Sequence, residues 1–154
     1  MTLAVDIRHR LGDFSVEAAF ESAGRLTALF GPSGSGKTTL VNVIGGLIRA
    51  EQARIVSDGR VFVDTARRVY VPAYRRRVGY VFQDARLFPH LSVRSNLNYG
   101  RRFAGRGVGA ADFGAVVALL DIGHLLGRRP ASLSGGEKQR VAIGRALLSS
   151  PPFS

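Results

Sequence analysis

The chain has 154 residues, 45% of them hydrophobic, which is enough for one packed domain and too apolar for a disordered or fibrous class. Its 22 basic and 11 acidic residues give a formal charge of +11, a balance found in nucleic-acid binders, in membrane-surface proteins and in genomes whose codon usage favours arginine; only Lys37 and Lys138 are lysines, and the bases are scattered apart from Arg75-Arg76-Arg77. No run reaches the ~18 apolar residues of a membrane span, the N-terminus lacks a secretory layout, and the absence of cysteine excludes disulfides and thiolate metal sites, so a cytoplasmic chain is expected.

Leu3, Val5 and Ile7 alternate with polar or small residues, as do Phe14, Val16, Ala18 and Phe20 after the break Leu11-Gly12-Asp13, which predicts a hairpin of half-buried strands. Residues 26–30 are a short continuous apolar run ending at a glycine, the pattern of a strand covered on both faces in a parallel sheet. Residues 37–47 place Leu40, Val41, Val43, Ile44 and Leu47 at helical spacing, with Gly45-Gly46 weakening the last turn. Three short strands follow, at 55–56, 61–63 and 69–71, with Asp58-Gly59 as a hairpin turn, and together they predict a small antiparallel sheet. Residues 78–82 read as another buried strand. Past Asp84 the pattern turns helical, with helices near 93–102 and 111–120 joined by a glycine-rich stretch at 105–109, and a last helix whose buried stripe would be Ala142, Ile143, Ala146 and Leu147.

Between the predicted strand at 26–30 and the helix that follows lies Gly31-Pro32-Ser33-Gly34-Ser35-Gly36-Lys37-Thr38, followed by Thr39, a phosphate-loop pattern in the strand-loop-helix context it requires. Glycines let backbone N–H groups close around phosphate oxygens, and the helix behind presents its unpaired donors and positive dipole end to the anion. Lys37 would reach the β- and γ-phosphates, and the Thr38 hydroxyl would hold Mg²⁺.

A second glycine turn opens the last helix at Leu133-Ser134-Gly135-Gly136-Glu137-Lys138-Gln139-Arg140. Ser134 and Glu137 have the spacing of a capping box. A cap alone does not call for two glycines in a first helical turn, each costing up to about 1 kcal/mol relative to alanine, so a second anion contact at Gly135 and Gly136 is expected there.

These motifs resemble those of the ABC ATPases. Residues 31–38 look like Walker A, Gln83 after an apolar run looks like the Q-loop glutamine, and residues 133–139 look like the signature motif, in the family's order and spacing along nearly the whole chain. More narrowly, residues 76–90 resemble the ATP-binding subunits of molybdate importers, as does the short connection between the first strands and the phosphate-loop strand. The resemblance implies an α/β fold, a P-loop NTPase core with an antiparallel β subdomain and a helical subdomain. Its divisions would be a β subdomain and phosphate-loop core over 1–84, a helical subdomain over 85–132, and a signature helix over 133–150.

It further implies a head-to-tail dimer, with ATP held between the phosphate loop of one copy and Ser134, Gly135, Gly136 and Glu137 of the other. Gln83, with Thr38, would contact Mg²⁺ and the γ-phosphate and link them to the helical segment. The implied partners are a second ATPase subunit, transmembrane permease subunits and, indirectly, a solute-binding protein. The implied place is the cytoplasmic face of the membrane, peripherally bound, moving molybdate or a similar oxyanion. Leu87-Phe88-Pro89 would lie near the groove for a permease helix, or Leu87 and Phe88 simply pack in the core.

His9 and Phe14 are the candidates for stacking on the base, and His9, His90 and His124 suit ordinary surface roles as well. An ABC protein acting on nucleic acid is the alternative, although the bases do not cluster and no nucleic-acid partner is expected; a small P-loop kinase or GTPase would have no use for residues 133–139. The family pattern continues past Pro151-Pro152 with an apolar run and an acidic pair, where these residues stop at Ser154. The resemblance therefore implies a truncated chain with an incomplete sheet. It would lack the Walker B aspartate, the catalytic glutamate and the switch histidine, bind phosphates without turning over ATP by itself, and expose apolar surface.

Overall fold

The computed structural model describes residues 2–24, 26–100 and 111–149. The chain divides into two compact units, Met1–Arg76 and Arg77–Ser154, each built around its own apolar cluster.

In the first unit, strands β1 (Leu3–Leu11), β2 (Phe14–Ser22), β3 (Gln52–Ser57), β4 (Arg60–Asp64) and β5 (Val69–Tyr70) form one sheet in the order β2-β1-β3-β4-β5, antiparallel throughout. The expected hairpin and the expected small sheet are thus parts of a single layer, because β1 pairs with β3 on its other edge. The β1–β2 and β3–β4 hairpins turn on left-handed residues: Gly12 (φ 60°) between Leu11 and Phe14, and Asp58-Gly59 (φ 46° and 75°) between Ser57 and Arg60, the latter pair matching a primed turn whose twist suits the strands. The alternation read from the sequence puts Val5, Ile7, Ala53 and Ile55 on one face, where Leu40 and Val43 of helix α1 (Lys37–Gly45) cover them. A short helix, α2 (Ala73–Arg76), closes the unit.

Residues 26–30 and 78–82 form no strand. A continuous apolar run becomes a buried strand only with ladder partners at its edges and cover on its faces, and the five strands above pair among themselves without reaching either segment. Leu26 and Phe30 are accordingly 89% and 92% exposed. The sheet in hand is therefore antiparallel and open, and the parallel layer expected around residues 26–30 is not formed by these residues.

In the second unit, α3 (Val93–Tyr99), α4 (Phe113–Leu119) and α5 (Gly135–Ser149) surround Val93, Leu97, Ile122, Leu125, Val141 and Leu148. Ser92 caps α3 by accepting from the Ser95 amide, and Asp112 caps α4 by accepting from Ala115. The predicted glycine-rich joint at 105–109 and the end of the predicted helix at 101–102 lie outside the described residues. The buried residues of α5 are Val141, Ala142, Gly144 and Leu148; of the expected Ala142, Ile143, Ala146 and Leu147, Ala142 is buried, Leu147 packs half-buried against the cluster, and Ile143 and Ala146 are half-buried. Gly144 sets this phase: a Cβ there would stand 2.8 Å from Leu97 Cδ2, so the missing side chain lets α5 lie close to α3.

One charged side chain organises the first core. Arg76, 2% exposed, donates from Nε to the Val71 carbonyl and from Nη1 to the carbonyls of Val43 and Ile44 at the C-terminal end of α1. Last-turn carbonyls lack the regular partner four residues on, the Val43 carbonyl accepting instead from the Gly46 amide at the cap (3.1 Å), and a cation at that end also suits the helix dipole. Burial lowers the Arg76 pKa from the usual arginine value, against an opposing contribution from Tyr70. Nη2 finds no hydrogen-bond partner among the described residues, but the guanidinium lies 5.3 Å and 5.6 Å from the ring centres of Tyr70 and Phe62, which offsets part of that loss. Arg76→Ala is expected to lower the unfolding free energy of the first unit by about 2–4 kcal/mol in urea titration; a change within 0.5 kcal/mol, the range of ordinary surface substitutions, would show the brace to be dispensable.

Candidate functional site

The entry to α1 is built from glycines in left-handed backbone, where side chains are strained. Gly34 and Gly36 have φ of 82° and 84°. At Gly36, the residue just before α1, a Cβ would also meet Val16 Cγ2 at 2.6 Å and Phe14 Cε1 at 3.2 Å. The turn is therefore held against β2, whose Val16 is buried and stiff at χ1. No side chain caps α1, so the amides of Lys37, Thr38 and Thr39 have no acceptor within the helix and point out of its first turn.

Lys37 lies across this loop. Its ammonium donates to the Gly31 carbonyl (2.8 Å), the Pro32 carbonyl (2.6 Å) and Ser35 Oγ (3.1 Å), using all three of its donors on the loop. Ser33, Gly34, Ser35, Gly36, Lys37, Thr38 and Thr39 line a cleft of about 340 Å³ together with Leu11 and Phe14. Of the two candidates for stacking, Phe14 lines this cleft and is 44% exposed. His9 does not line it, and its Nδ1 is buried with no partner among the described residues. Leu11 is the lining residue that sequence reasoning passed over as part of a strand break; its place beside the Gly12-Asp13 turn was the available signal.

A slightly larger cleft, about 400 Å³, lies between Asp6, Arg8, Arg54, Asp64 and Arg67. Its charges answer one another: Asp64 faces Arg54 and Arg67 at 3.8 Å each and accepts from the Arg67 amide. Size does not select the site; unpaired donors at a helix N-terminus do.

The other two predicted motifs lie in the second unit. Gln83 is exposed in a bend with no regular secondary structure. The turn before α5 forms the expected capping box: the Ser134 amide donates to Glu137 Oε2 (2.7 Å) and the Glu137 amide donates to Ser134 Oγ (3.3 Å). Hydrogen bonding to the carboxyl, from the Ser134 amide first and the Ser134 hydroxyl second, holds Glu137 below the usual carboxylate range. The sign follows directly: the cap is at full strength above the ordinary glutamate pKa and weakens as pH falls through the lowered one. Gly135 and Gly136 differ from the glycines of the first loop. Neither has a positive φ, and an added Cβ would meet nothing within 4 Å at either. Neither backbone conformation nor crowding inside the chain calls for glycine there.

The family model described as ABC transporter matches residues 19–154. The molybdenum import ATP-binding protein ModC of Mesorhizobium japonicum is 70% identical over 151 residues, which make up 98% of this chain and 41% of that protein. The ModC protein of Rhizobium meliloti is 61% identical over 98% of this chain and 42% of its own length. The chain thus spans about two fifths of the length of the curated relatives it matches. Among solved structures, the dimeric post-hydrolysis state of the ATP-binding cassette MJ0796 bound to ADP and Pi is 26% identical with a TM-score of 0.70, over 99% of this chain and 71% of that one. A bacterial Atm1-family ABC exporter with ATP bound is 31% identical with a TM-score of 0.75, over 99% of this chain and 28% of that one.

The two glycine turns should respond oppositely to alanine. Gly36→Ala is expected to cost about 2–4 kcal/mol of stability through strain and the clash with Val16, whereas Gly135→Ala should raise stability by up to about 1 kcal/mol through helix propensity. Chemical denaturation of both variants measures this; destabilisation of the same size at both positions would contradict it.

Proposed function

Because the chain belongs to the ABC transporter family, its model matching residues 19–154, we propose that these residues are the nucleotide-gripping front part of an importer's ATP-binding subunit. In this reading, Gly31, Pro32, Ser33, Gly34, Ser35, Gly36, Lys37, Thr38 and Thr39 hold the triphosphate of ATP. Lys37 exchanges its three loop acceptors for phosphate oxygens, so the ammonium stays satisfied in both states and its charge is matched only when the anion is bound. Phe14 and Leu11 supply the apolar wall on which the base rests.

Mg²⁺ fits this loop in a limited way. An ion of this kind is carried mainly by phosphate oxygens and water with few protein ligands. Thr38, exposed in the first turn of α1, is the residue of this loop whose hydroxyl would join its shell. When bound, the ion would neutralise charge on the phosphates.

The observation that carries the reading furthest is the bare backbone at Gly135 and Gly136. A glycine pair with ordinary φ and empty surroundings has its reason outside the chain. A second copy bringing its γ-phosphate against these amides and Ser134 would supply that reason, and would make ATP the differential ligand favouring the paired state. The subdomain divisions at 84 and 132, the permease and solute-binding partners, the peripheral placement at the membrane and the oxyanion cargo belong to the same proposal. The names of the ModC relatives support molybdate as that cargo.

Two variants separate binding from pairing. Lys37→Ala is expected to weaken Mg-ATP binding at least about tenfold in calorimetry. Ser134→Arg should leave that binding intact and abolish ATP-dependent self-association in sedimentation. Undiminished binding by Lys37→Ala would refute the nucleotide site, and ATP-dependent association by Ser134→Arg would refute the head-to-tail pairing.

A further inference from the structure

A second guanidinium reaches across the second unit, and its acceptors differ in kind from those of Arg76. Arg145, on α5, donates from Nη1 to the Arg86 carbonyl (3.0 Å) and from Nη2 to the Ala85 carbonyl (3.2 Å), and its Cζ lies 5.3 Å from the centre of the Phe88 ring. Ala85 and Arg86 follow Gln83 by two and three residues, in backbone that is neither helix nor strand. Carbonyls in such a stretch have no ladder to satisfy them, so Arg145 is their anchor. Burial lowers the Arg145 pKa from the usual arginine value, the mark of a cation partly withdrawn from water, where hydrogen bonds to it are stronger.

The anchored backbone is itself strained. Arg86 has φ 43°, in the left-handed region that favours glycine. A residue with a side chain holds such a conformation only where its surroundings over-determine it, and such residues gather at switch segments. The far end of the stretch and the residues after it are pinned from the other side by Asn96, fully buried on α3: the Phe88 amide donates to Asn96 Oδ1, and the two N–H groups of Asn96 Nδ2 are shared among the carbonyls of Phe88, Leu91 and Ser92, all at 3.1 Å. The segment after Gln83 therefore has one end tied to α3 through Asn96 and the other tied to α5 through Arg145.

Helix α5 begins at the Ser134–Glu137 turn, and Arg145 sits ten residues beyond Gly135, about 15 Å along a rigid rod at 1.5 Å per residue. We propose that Arg145 is a positioning residue that couples the turn at Ser134, Gly135 and Gly136 to the segment 83–88, so that a shift of α5 when that turn closes on phosphate changes the restraint on the strained backbone at Arg86. The inference rests on the reading that this turn meets the nucleotide of a second copy. It adds the physical link between that contact and the stretch carrying Gln83. Lysine cannot replace arginine here, because a single ammonium on a flexible stem does not span two successive carbonyls while lying on a ring.

Hydrogen exchange on the whole 154-residue chain, with and without Mg-ATP held unhydrolysed as its imido analogue, tests this link. In the parent chain the nucleotide should protect amides 134–138 and 85–88 together. In Arg145→Lys, amides 134–138 should still be protected, while amides 85–88 should exchange about fivefold faster, the worth of one lost hydrogen bond, and no longer respond to nucleotide. Arg145→Met, which loses both bonds, should speed exchange at amides 85–88 at least as much and likewise abolish their response. Exchange at Leu97 and Val141 should be unchanged in both variants, which a general loosening of the unit would not allow. Response of amides 85–88 in both variants equal to that of the parent overturns the proposal, as does faster exchange spread evenly through the second unit. A parent chain whose loop amides 34–38 respond while 134–138 do not would instead sink the pairing on which the proposal stands.

Discussion

The closure of backbone around the Gly31–Lys37 loop depends on one steric fact: Gly36 turns left-handed into α1 with Val16 and Phe14 pressed against the place where a side chain would be. With that turn in place, the unpaired amides of the first helical turn, the three-donor bridge of Lys37 and the wall formed by Leu11 and Phe14 all address one cleft. The sheet contributes by fixing β2, through its full register with β1, at the height where Val16 meets Gly36. Arg76 contributes from the other end of the same helix, gathering the carbonyls of Val43 and Ile44. The helix is thus gripped at both termini, by packing at one and by a buried cation at the other.

The two glycine turns show how one residue type answers different demands. In the first loop glycine is required by conformation and crowding, and each requirement is visible within the chain. At Gly135 and Gly136 neither applies, while the Ser134–Glu137 cap already satisfies two of the donors at that helix start. What remains there is uncovered backbone on an open surface, suited to a ligand arriving from outside.

Much of this was legible in the sequence because it rests on local rules. Alternation placed Val5, Ile7 and Val16 on the buried face, Asp58-Gly59 announced its hairpin, and the spacing of Ser134 and Glu137 announced the cap. What was not legible depends on distant partners. Residues 26–30 and 78–82 carry the composition of buried strands, yet composition cannot supply the neighbouring strands that would ladder them. The full phase of α5 is hidden from the sequence because apolar residues lie on both sides of it, and the deciding residue, Gly144, counts in packing through the side chain it lacks. Arg76 and Arg145 looked like two among many scattered arginines, and only the fold shows that both are spent on backbone carbonyls across 32 to 60 residues of chain. Part of the basic excess is therefore internal architecture rather than a surface for polyanions.

The central claim is that phosphate is gripped by main-chain donors freed by glycine at the start of α1. Amide ¹H–¹⁵N spectra recorded during a titration with Mg-ATP test it most directly. The account predicts that the resonances of Gly34, Ser35, Gly36, Lys37 and Thr38 move together and saturate with one affinity. Saturable binding that leaves those five resonances in place, and moves others instead, would contradict it.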